Sequence, residues 1–276
     1  MREGKCTAVI LAAGNGSRMK SSVAKQFLEL AGKPLIYYAL STVEKSKVID
    51  DCILVTGEED LEKMRTEIVE KYGFQKVKAV IPGGSERCFS VAKAMRFLAE
   101  DVQSPEADVG PQEQEEPGSS GKSYVFIHDG ARPFLTEEIL ERTYQAVLEH
   151  DACVAAMPCK DTVKLADREG FAEITPDRKT VWTVQTPQVF ERSLIIGAYA
   201  RFEAARNGAS NTDGKDKKET ERLPGMATVT DDAGVVENFT DARVKLVEGA
   251  YSNIKVTTPE DMVIAEALMK AGRTDG

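Results

Sequence analysis

The chain has 276 residues, of which 45 are acidic and 36 basic, for a formal charge of −9 at pH 7. That balance argues against a nucleic-acid partner, which leaves a basic footprint, but not against a small anionic ligand held by a few local cations. Hydrophobic residues make up 42%, enough for the core of one large or two small domains, and no run reaches the roughly 18 apolar residues of a membrane span.

Met1 to Lys5 leads straight into the first strand, so no signal segment is expected. Thr7–Ala12 is apolar and reads as a buried strand. It breaks into a loop of small residues, Ala13-Gly14-Asn15-Gly16-Ser17, that carries Arg18 and then Lys25. Small residues let backbone N–H groups approach phosphate oxygens, and two cations beside them suit charge built up on phosphorus. Pro34–Lys45 then reads as a helix and Asp51–Thr56 as a strand. Glu59–Tyr72 is a charged amphipathic helix with Leu61, Met64, Ile68 and Tyr72 on one face. A strand over Val77–Ile81, a helix over Ser85–Leu98 and a strand over Tyr124–His128 follow. A helix over Thr136–Glu149 and a strand over Ala152–Met157 complete the run. The alternation predicts an α/β fold with a doubly wound, mostly parallel sheet. Such sheets bind ligands at the carboxyl ends of their strands. Gly14, Gly83-Gly84 and Asp129-Gly130 all follow strands directly, so three loops should converge on one crevice.

Cys159–Phe190 interrupts the alternation. Thr162–Leu165 and Phe171–Ile174 read as two strands about a turn at Asp167–Gly170, followed by Val181–Val184. Residues 159–190 are therefore expected to form a projecting β-arm on the single domain. Residues 102–122 and 207–225 are polar, low in apolar content, and read as inserted mobile loops. Gly118–Ser123 has a superficial P-loop look, but Glu116 stands where the first glycine belongs and no strand precedes it. Asn253–Val256 reads as a strand. Thr258-Pro259-Glu260-Asp261 is a strong helix start, with the helix running to Lys270 and stopping at Gly272. The five scattered cysteines form no Cys-x-x-Cys, which favours thiols in a reducing cytoplasm over disulfides or a zinc site.

The motifs form an ordered series. It comprises Leu11-Ala12-Ala13-Gly14-x-Gly16-x-Arg18-Met19, Lys25-Gln26-Phe27-Leu28, Gly83-Gly84-Ser85-Glu86-Arg87-x-x-Ser90-Val91 and His128-Asp129-Gly130-Ala131-Arg132-Pro133. Asp161-Thr162-Val163-Lys164, Gln185-Thr186-Pro187-Gln188, Thr230-Asp231-Asp232-Ala233 and Asn253-Ile254-Lys255-Val256-Thr257 continue it. The series resembles the 2-C-methyl-D-erythritol 4-phosphate cytidylyltransferase family over nearly the whole chain outside the two inserted loops. Ser85 stands where that family often has Asp, Gly130 where Ala is common, and Ala24 where Pro is frequent.

The resemblance implies a Rossmann-like nucleotidyltransferase fold. It implies transfer of the cytidylyl group of CTP to methylerythritol phosphate, with pyrophosphate leaving. Arg18 and Lys25 would be catalytic. Ala12, Ala13, Gly14, Gly16, Gly83, Ser85, Arg87, Ser90, Asp129 and Gly130 would bind the nucleotide, with carbonyl acceptors near Gly83 reading the cytosine amino group. Arg132, Thr162, Arg178, Thr186, Thr230 and Lys255 would bind the polyol phosphate. Asp129 would be the ligand of Mg²⁺ or another divalent cation. A homodimer is implied, the arm of one chain carrying Arg178 and Thr162 into the other's site. The residues leave simpler readings open: Arg87 as a structural arginine, Asp129 as a turn or cap residue, Arg178 as a solvated one, His128 as packing. Rival activities are a ribitol 5-phosphate cytidylyltransferase and a nucleotide-sugar glycosyltransferase. The second lacks its usual Asp-x-Asp here.

Overall fold

The computed structural model describes residues 3–14, 24–101, 121–210 and 229–272. Seven strands make the central sheet: β1 (Cys6–Ala12), β2 (Asp51–Thr56), β3 (Val77–Pro82), β4 (Tyr124–Asp129), β5 (Ala152–Pro158), β6 (Trp182–Glu191) and β7 (Lys245–Glu248). Their order is β7-β5-β6-β4-β1-β2-β3. All neighbours run parallel except β6, which lies antiparallel between β4 and β5.

The continuous apolar runs of β1 and β4 follow from burial on both faces. Ala8, Ile10 and Ala12 face one layer, Val9 the other. The first layer holds helices α1 (Leu35–Lys45) and α3 (Glu137–His150), through Ile36, Leu40, Ile139 and Val147. The helix expected over Glu59–Tyr72 joins them. It opens with a 3₁₀ turn at Glu58–Asp60, makes one α turn at Leu61–Lys63 and winds as π over Met64–Glu70. Met64 and Ile68 are buried as its pattern requires. The second layer holds α2 (Arg87–Asp101), α4 (Arg192–Ser210) and α5 (Asp232–Phe239), through Val91, Met95, Ile195, Tyr199 and Val236. Helix α6 (Pro259–Lys270) packs through Ala265 beside Leu30, Leu35, Ala131, Phe134 and Val256. The sheet is doubly wound, as the alternation indicates.

Four expectations change. The strand-rich interruption is not all arm: Trp182–Glu191 is β6, inside the sheet. Pro187, which cannot donate to a ladder, falls where the pairing with β5 shifts register between Val184 and Gln188. The projecting part ends at Val181, whose carbonyl accepts from Cys159 N–H at 2.8 Å. Within it only Leu165–Ala166 and Ala172–Ile174 pair as strands. Thr162–Lys164 lie outside the two-stranded ladder, which begins at the Leu165–Ile174 pair. Asn253–Val256 is not a strand; Asn253 N–H bonds Ala250 O and Val256 N–H bonds Ala131 O. The missed strand is β7, a four-residue edge with exposed Lys245, Leu246 and Glu248. Finally, helix α4 continues through Ser210, into the start of the second inserted loop. Residues 102–120 and 211–228, which carry most of both insertions, lie outside the described residues.

Candidate active site

Three loops leave the carboxyl ends of β1, β3 and β4 and meet, because their glycines permit close approach. A Cβ on Gly83 would stand 2.4 Å from Ala13 Cβ and 2.8 Å from Ser90 Oγ, so the β1 and β3 loops could not close with any side chain there. A Cβ on Gly130 would stand 3.0 Å from Leu11 O and would strike Ile36; Gly130 N–H bonds that same carbonyl at 2.9 Å. The loops enclose a cavity of about 220 Å³ lined by Ala13, Gly14, Lys25, Ser85, Arg87, Ser90, Asp129 and Lys255, among others.

Asp129 is its electrostatic centre. Arg87 Nε donates to Oδ1 at 3.1 Å, Lys255 Nζ meets Oδ2 at 2.8 Å, and Arg132 Nε stands 3.8 Å from Oδ2. Burial alone would raise the Asp129 pKa. The three cations, Arg87 first, outweigh it and hold the carboxyl well below the ordinary range. Asp129 is therefore ionised at any working pH.

Arg87, the first residue of α2, is an organising arginine. Its Nη1 and Nη2 grip both oxygens of Asp232, at 2.9 and 2.6 Å. Asp232 is fully buried and also accepts from Tyr199 Oη at 2.6 Å. This fork and the Asp129 contact use three of the five guanidinium N–H groups, and Arg87 still lines the cavity. Ser90 is spent on the loop: Oγ accepts from Gly84 N–H at 3.0 Å and donates to Glu86 O at 3.1 Å. Gly83 O accepts from the Lys93 ammonium at 2.7 Å, which leaves one of its two lone pairs. Arg132 is mostly buried and donates from Nη1 to Asn253 O at 2.7 Å.

Thr186 is 3% exposed, too deep to offer its hydroxyl to a substrate. Its Oγ1 accepts from Asp129 N–H at 3.1 Å. Arg132 O, 3.3 Å from His128 Nε2, can only accept, so the neutral ring keeps its proton on Nε2 and Nδ1 takes the Thr186 hydroxyl proton at 3.0 Å. Burial pushes the His128 pKa down to about 4, so the ring is neutral packing with a fixed tautomer, not an acid or base. An unfolded histidine titrates near 6.5. As pH falls below about 6.5 the unfolded chain takes up a proton that the folded ring refuses until about pH 4. Stability at His128 is thus complete above that window and lost through it, at about 1.4 kcal/mol per pH unit. Urea midpoints should fall more between pH 7 and 5 for the wild type than for His128→Asn; equal falls would show that the ring does not titrate this way.

Ala12 ends β1 and is buried; Ala13 and Gly14 reach the cavity. Thr230 is exposed and lines a separate cavity of about 120 Å³ on the Asp231 side of Arg87. Thr162 and Arg178 are exposed on the arm, where Arg178 Nη1 donates to Lys160 O at 3.2 Å; neither lines the cavity of this chain. Gly16 and Arg18 lie outside the described residues. Sequence reasoning missed Asp232, Tyr199 and Lys93. Asp232 stood inside the quoted Thr230–Ala233 motif, but nothing local marks its partner 145 residues away.

Among the described residues no group of three or more His, Cys, Asp or Glu side chains could hold a metal ion. Both Asp129 oxygens already meet cations. The donor set therefore does not fit a cation caged by side chains. It fits one that arrives on substrate phosphates, with a single carboxylate facing it.

The sequence profile of the family described as 2-C-methyl-D-erythritol 4-phosphate cytidylyltransferase (IspD) matches residues 6–104, 117–221 and 215–271. The chain belongs to this family. A cytidylyltransferase of that name from Lachnospira eligens is 42% identical over 264 residues, 96% of this chain and 99% of its own. One from Lachnoclostridium phytofermentans is 37% identical over 96% of this chain and 97% of its own. The crystal structure of 4-diphosphocytidyl-2C-methyl-D-erythritol synthase from Anaerococcus prevotii superposes with a TM-score of 0.71 at 32% identity, covering 97% of this chain and 96% of that one. The sheet and its flanking helices are thus those of the IspD cytidylyltransferases. Among the described residues no helix is long and apolar enough to cross a membrane.

Proposed function

We propose that the cavity at the ends of β1, β3 and β4 is where this IspD-family chain transfers the cytidylyl group of CTP to 2-C-methyl-D-erythritol 4-phosphate, in non-mevalonate isoprenoid synthesis. The observation that carries this reading is the meeting of Gly14, Lys25, Arg87, Asp129 and Lys255 around one crevice. A phosphate monoester has a second pKa near 6 and is largely a dianion at neutral pH. The nucleophile arrives ionised, so the site needs no general base, and the neutral His128 supplies none. What it must provide is alignment of the two phosphates and compensation of charge on the transferring phosphoryl group.

Lys25 and Arg18 take the charge on the nucleotide side. The backbone of Ala13 and Gly14 and the loop at Gly83–Ser85 flank the nucleotide. Lys255, held by Asp129, faces the polyol phosphate. A divalent cation, expected to be Mg²⁺, would be held between the CTP phosphates and Asp129 and would supply compensation of the phosphate charge. Asp129 is the carboxylate that faces it, its first task being to hold Lys255 and Arg87. The five cysteines are thiols, none in a disulfide, which suits a reducing cytoplasm. The arm presents Leu165, Phe171 and Ile174 to solvent, Phe171 at 68% exposure. Apolar side chains on a projecting ribbon suit packing against a second copy of the chain, which would place Arg178 and Thr162 at the partner's site.

Pyrophosphate release tests the reading, measured with CTP and a panel of polyol phosphates that includes methylerythritol phosphate and ribitol 5-phosphate. Release with the first and background with the others is expected. Preference for ribitol 5-phosphate would reassign the polyol pocket.

A further inference from the structure

Lys255 is a long, flexible side chain on a segment that has no regular secondary structure, yet it meets Asp129 at 2.8 Å with its side chain only 35% exposed. A lysine stem loses much rotamer freedom when held in one geometry, so a free loop would present it poorly. The segment is pinned on both sides of Lys255. On one side Val256 is fully buried and its N–H bonds Ala131 O at 2.8 Å. On the other side Asn253 is fully buried. Asn253 Nδ2 donates to Thr186 O at 2.8 Å and to Gln185 Oε1 at 3.3 Å. Its own N–H bonds Ala250 O at 3.0 Å, and its carbonyl accepts from Arg132 Nη1 at 2.7 Å. Gln185 completes the clasp by donating from Nε2 to Ala250 O at 2.8 Å.

Thr186, at the centre of this grip, also receives the backbone N–H of Asp129 through its hydroxyl. One residue of β6 therefore holds both halves of the ion pair: the Asp129 backbone directly, and Lys255 through Asn253. We infer that Asn253 is a positioning residue for Lys255, its side-chain amide locking the 250–256 loop onto β6 so that the ammonium meets Asp129 at the mouth of the cavity. The amide is specific to the task. Both partners of Nδ2 are oxygen acceptors, so an aspartate of the same shape would turn a carboxylate oxygen toward them. This inference rests on the reading of Lys255 as the ligand of the polyol phosphate.

The test is a double-mutant cycle, with steady-state turnover of CTP and methylerythritol phosphate as the readout. Asn253→Ala should lower kcat/KM for the polyol phosphate by on the order of 10-fold or more and leave KM for CTP within about twofold. In a Lys255→Met background the same change should cost less than about twofold, because the group it positions is gone. Should Asn253→Ala fail to fold, Asn253→Ser and Gln185→Met loosen the same clasp and enter the cycle in its place. Equal losses in both backgrounds, or a rise in KM for CTP as large as that for the polyol phosphate, would overturn the inference. A Lys255→Met enzyme as active as wild type would remove the underlying reading of Lys255 and the inference with it. A Lys255→Met enzyme that is impaired but additive with Asn253→Ala removes the inference alone.

Discussion

Lys25→Ala should lower kcat by on the order of 10²-fold or more, with a smaller change in KM for CTP. The expectation comes from where the side chain lies and how its backbone is held. Lys25 opens a 3₁₀ turn, Lys25–Phe27, closed by Phe27 N–H to Ala24 O at 2.9 Å and Leu28 N–H to Lys25 O at 3.1 Å. Gln26 is buried in this turn and donates from Nε2 to Asp60 at 3.0 Å. The Lys63 ammonium sits over the Phe27 ring, 4.0 Å from its centroid. A turn so anchored directs the lysine stem along Gly14, where a Cβ would lie 3.7 Å from Cε and 3.9 Å from Nζ. The charge thus stands beside the small-residue loop at the cavity wall, preorganised for a phosphate whose negative charge shifts during transfer. A hundredfold loss is about 2.7 kcal/mol of transition-state stabilisation. An unchanged kcat with a raised KM would show that Lys25 only holds the ground state.

The second large effect is recovery rather than loss. Lys25→Ala and Arg178→Ala should each be nearly inactive alone, and mixing them with subunit exchange should return roughly a quarter of wild-type activity. The fraction follows from a dimer with arm-shared sites: half of the dimers in an equal mixture are mixed, and one of their two sites has both residues native. Arg178 is exposed on its 3₁₀ turn and bonds only a backbone carbonyl among its described contacts, so its fork remains able to grip a phosphate. Separate titration of CTP against Arg178→Ala should show nucleotide binding near wild type. If prolonged exchange restores nothing, Arg178 serves its own chain or the arm has another use.

The parts of the fold that the sequence disclosed are those where burial dictates residue type. Asp51–Thr56 has the same bounds in sequence and structure because it is apolar on both faces. The start of α6 was legible because Thr258 and Asp261 form a reciprocal capping box with Pro259 in the first turn. Strand β6 was hidden by its polarity, which is spent inside. Gln188 donates to Asp231 at 3.0 Å and accepts from Ala233 N–H at 2.9 Å, fastening α5 to the sheet. At the site, residue types were legible and their assignments less so. Arg87 and Asp129 were both singled out, but their mutual contact and the buried Asp232 behind them depend on pairings 42 and 145 residues apart. No local pattern encodes these. Hydroxyls such as Ser90 and Thr186 look available in sequence but have partners within the fold, Ser90 on backbone groups and Thr186 on Asp129 N–H and the His128 ring.

The antiparallel strand in the middle of the sheet also constrains how the chain is made. β4 and β5 have emerged by residue 158, yet they do not touch as neighbours; β6, ending at Glu191, lies between them. A ribosome-bound chain halted before Trp182 has β1 to β4 ready to pair, while β5 has no sheet partner from the preceding sequence. Collapse of the second half must wait for the arm to be threaded out and β6 to return. Folding during synthesis should therefore proceed in two stages, with the arm completed between them. Chains arrested so that residue 180 has just cleared the tunnel should show protease-resistant β1–β4 and a labile segment from Ala152 onward, and chains extended until Glu191 has also cleared it should protect both. Equal protection at the two lengths would mean that β5 finds its place without β6.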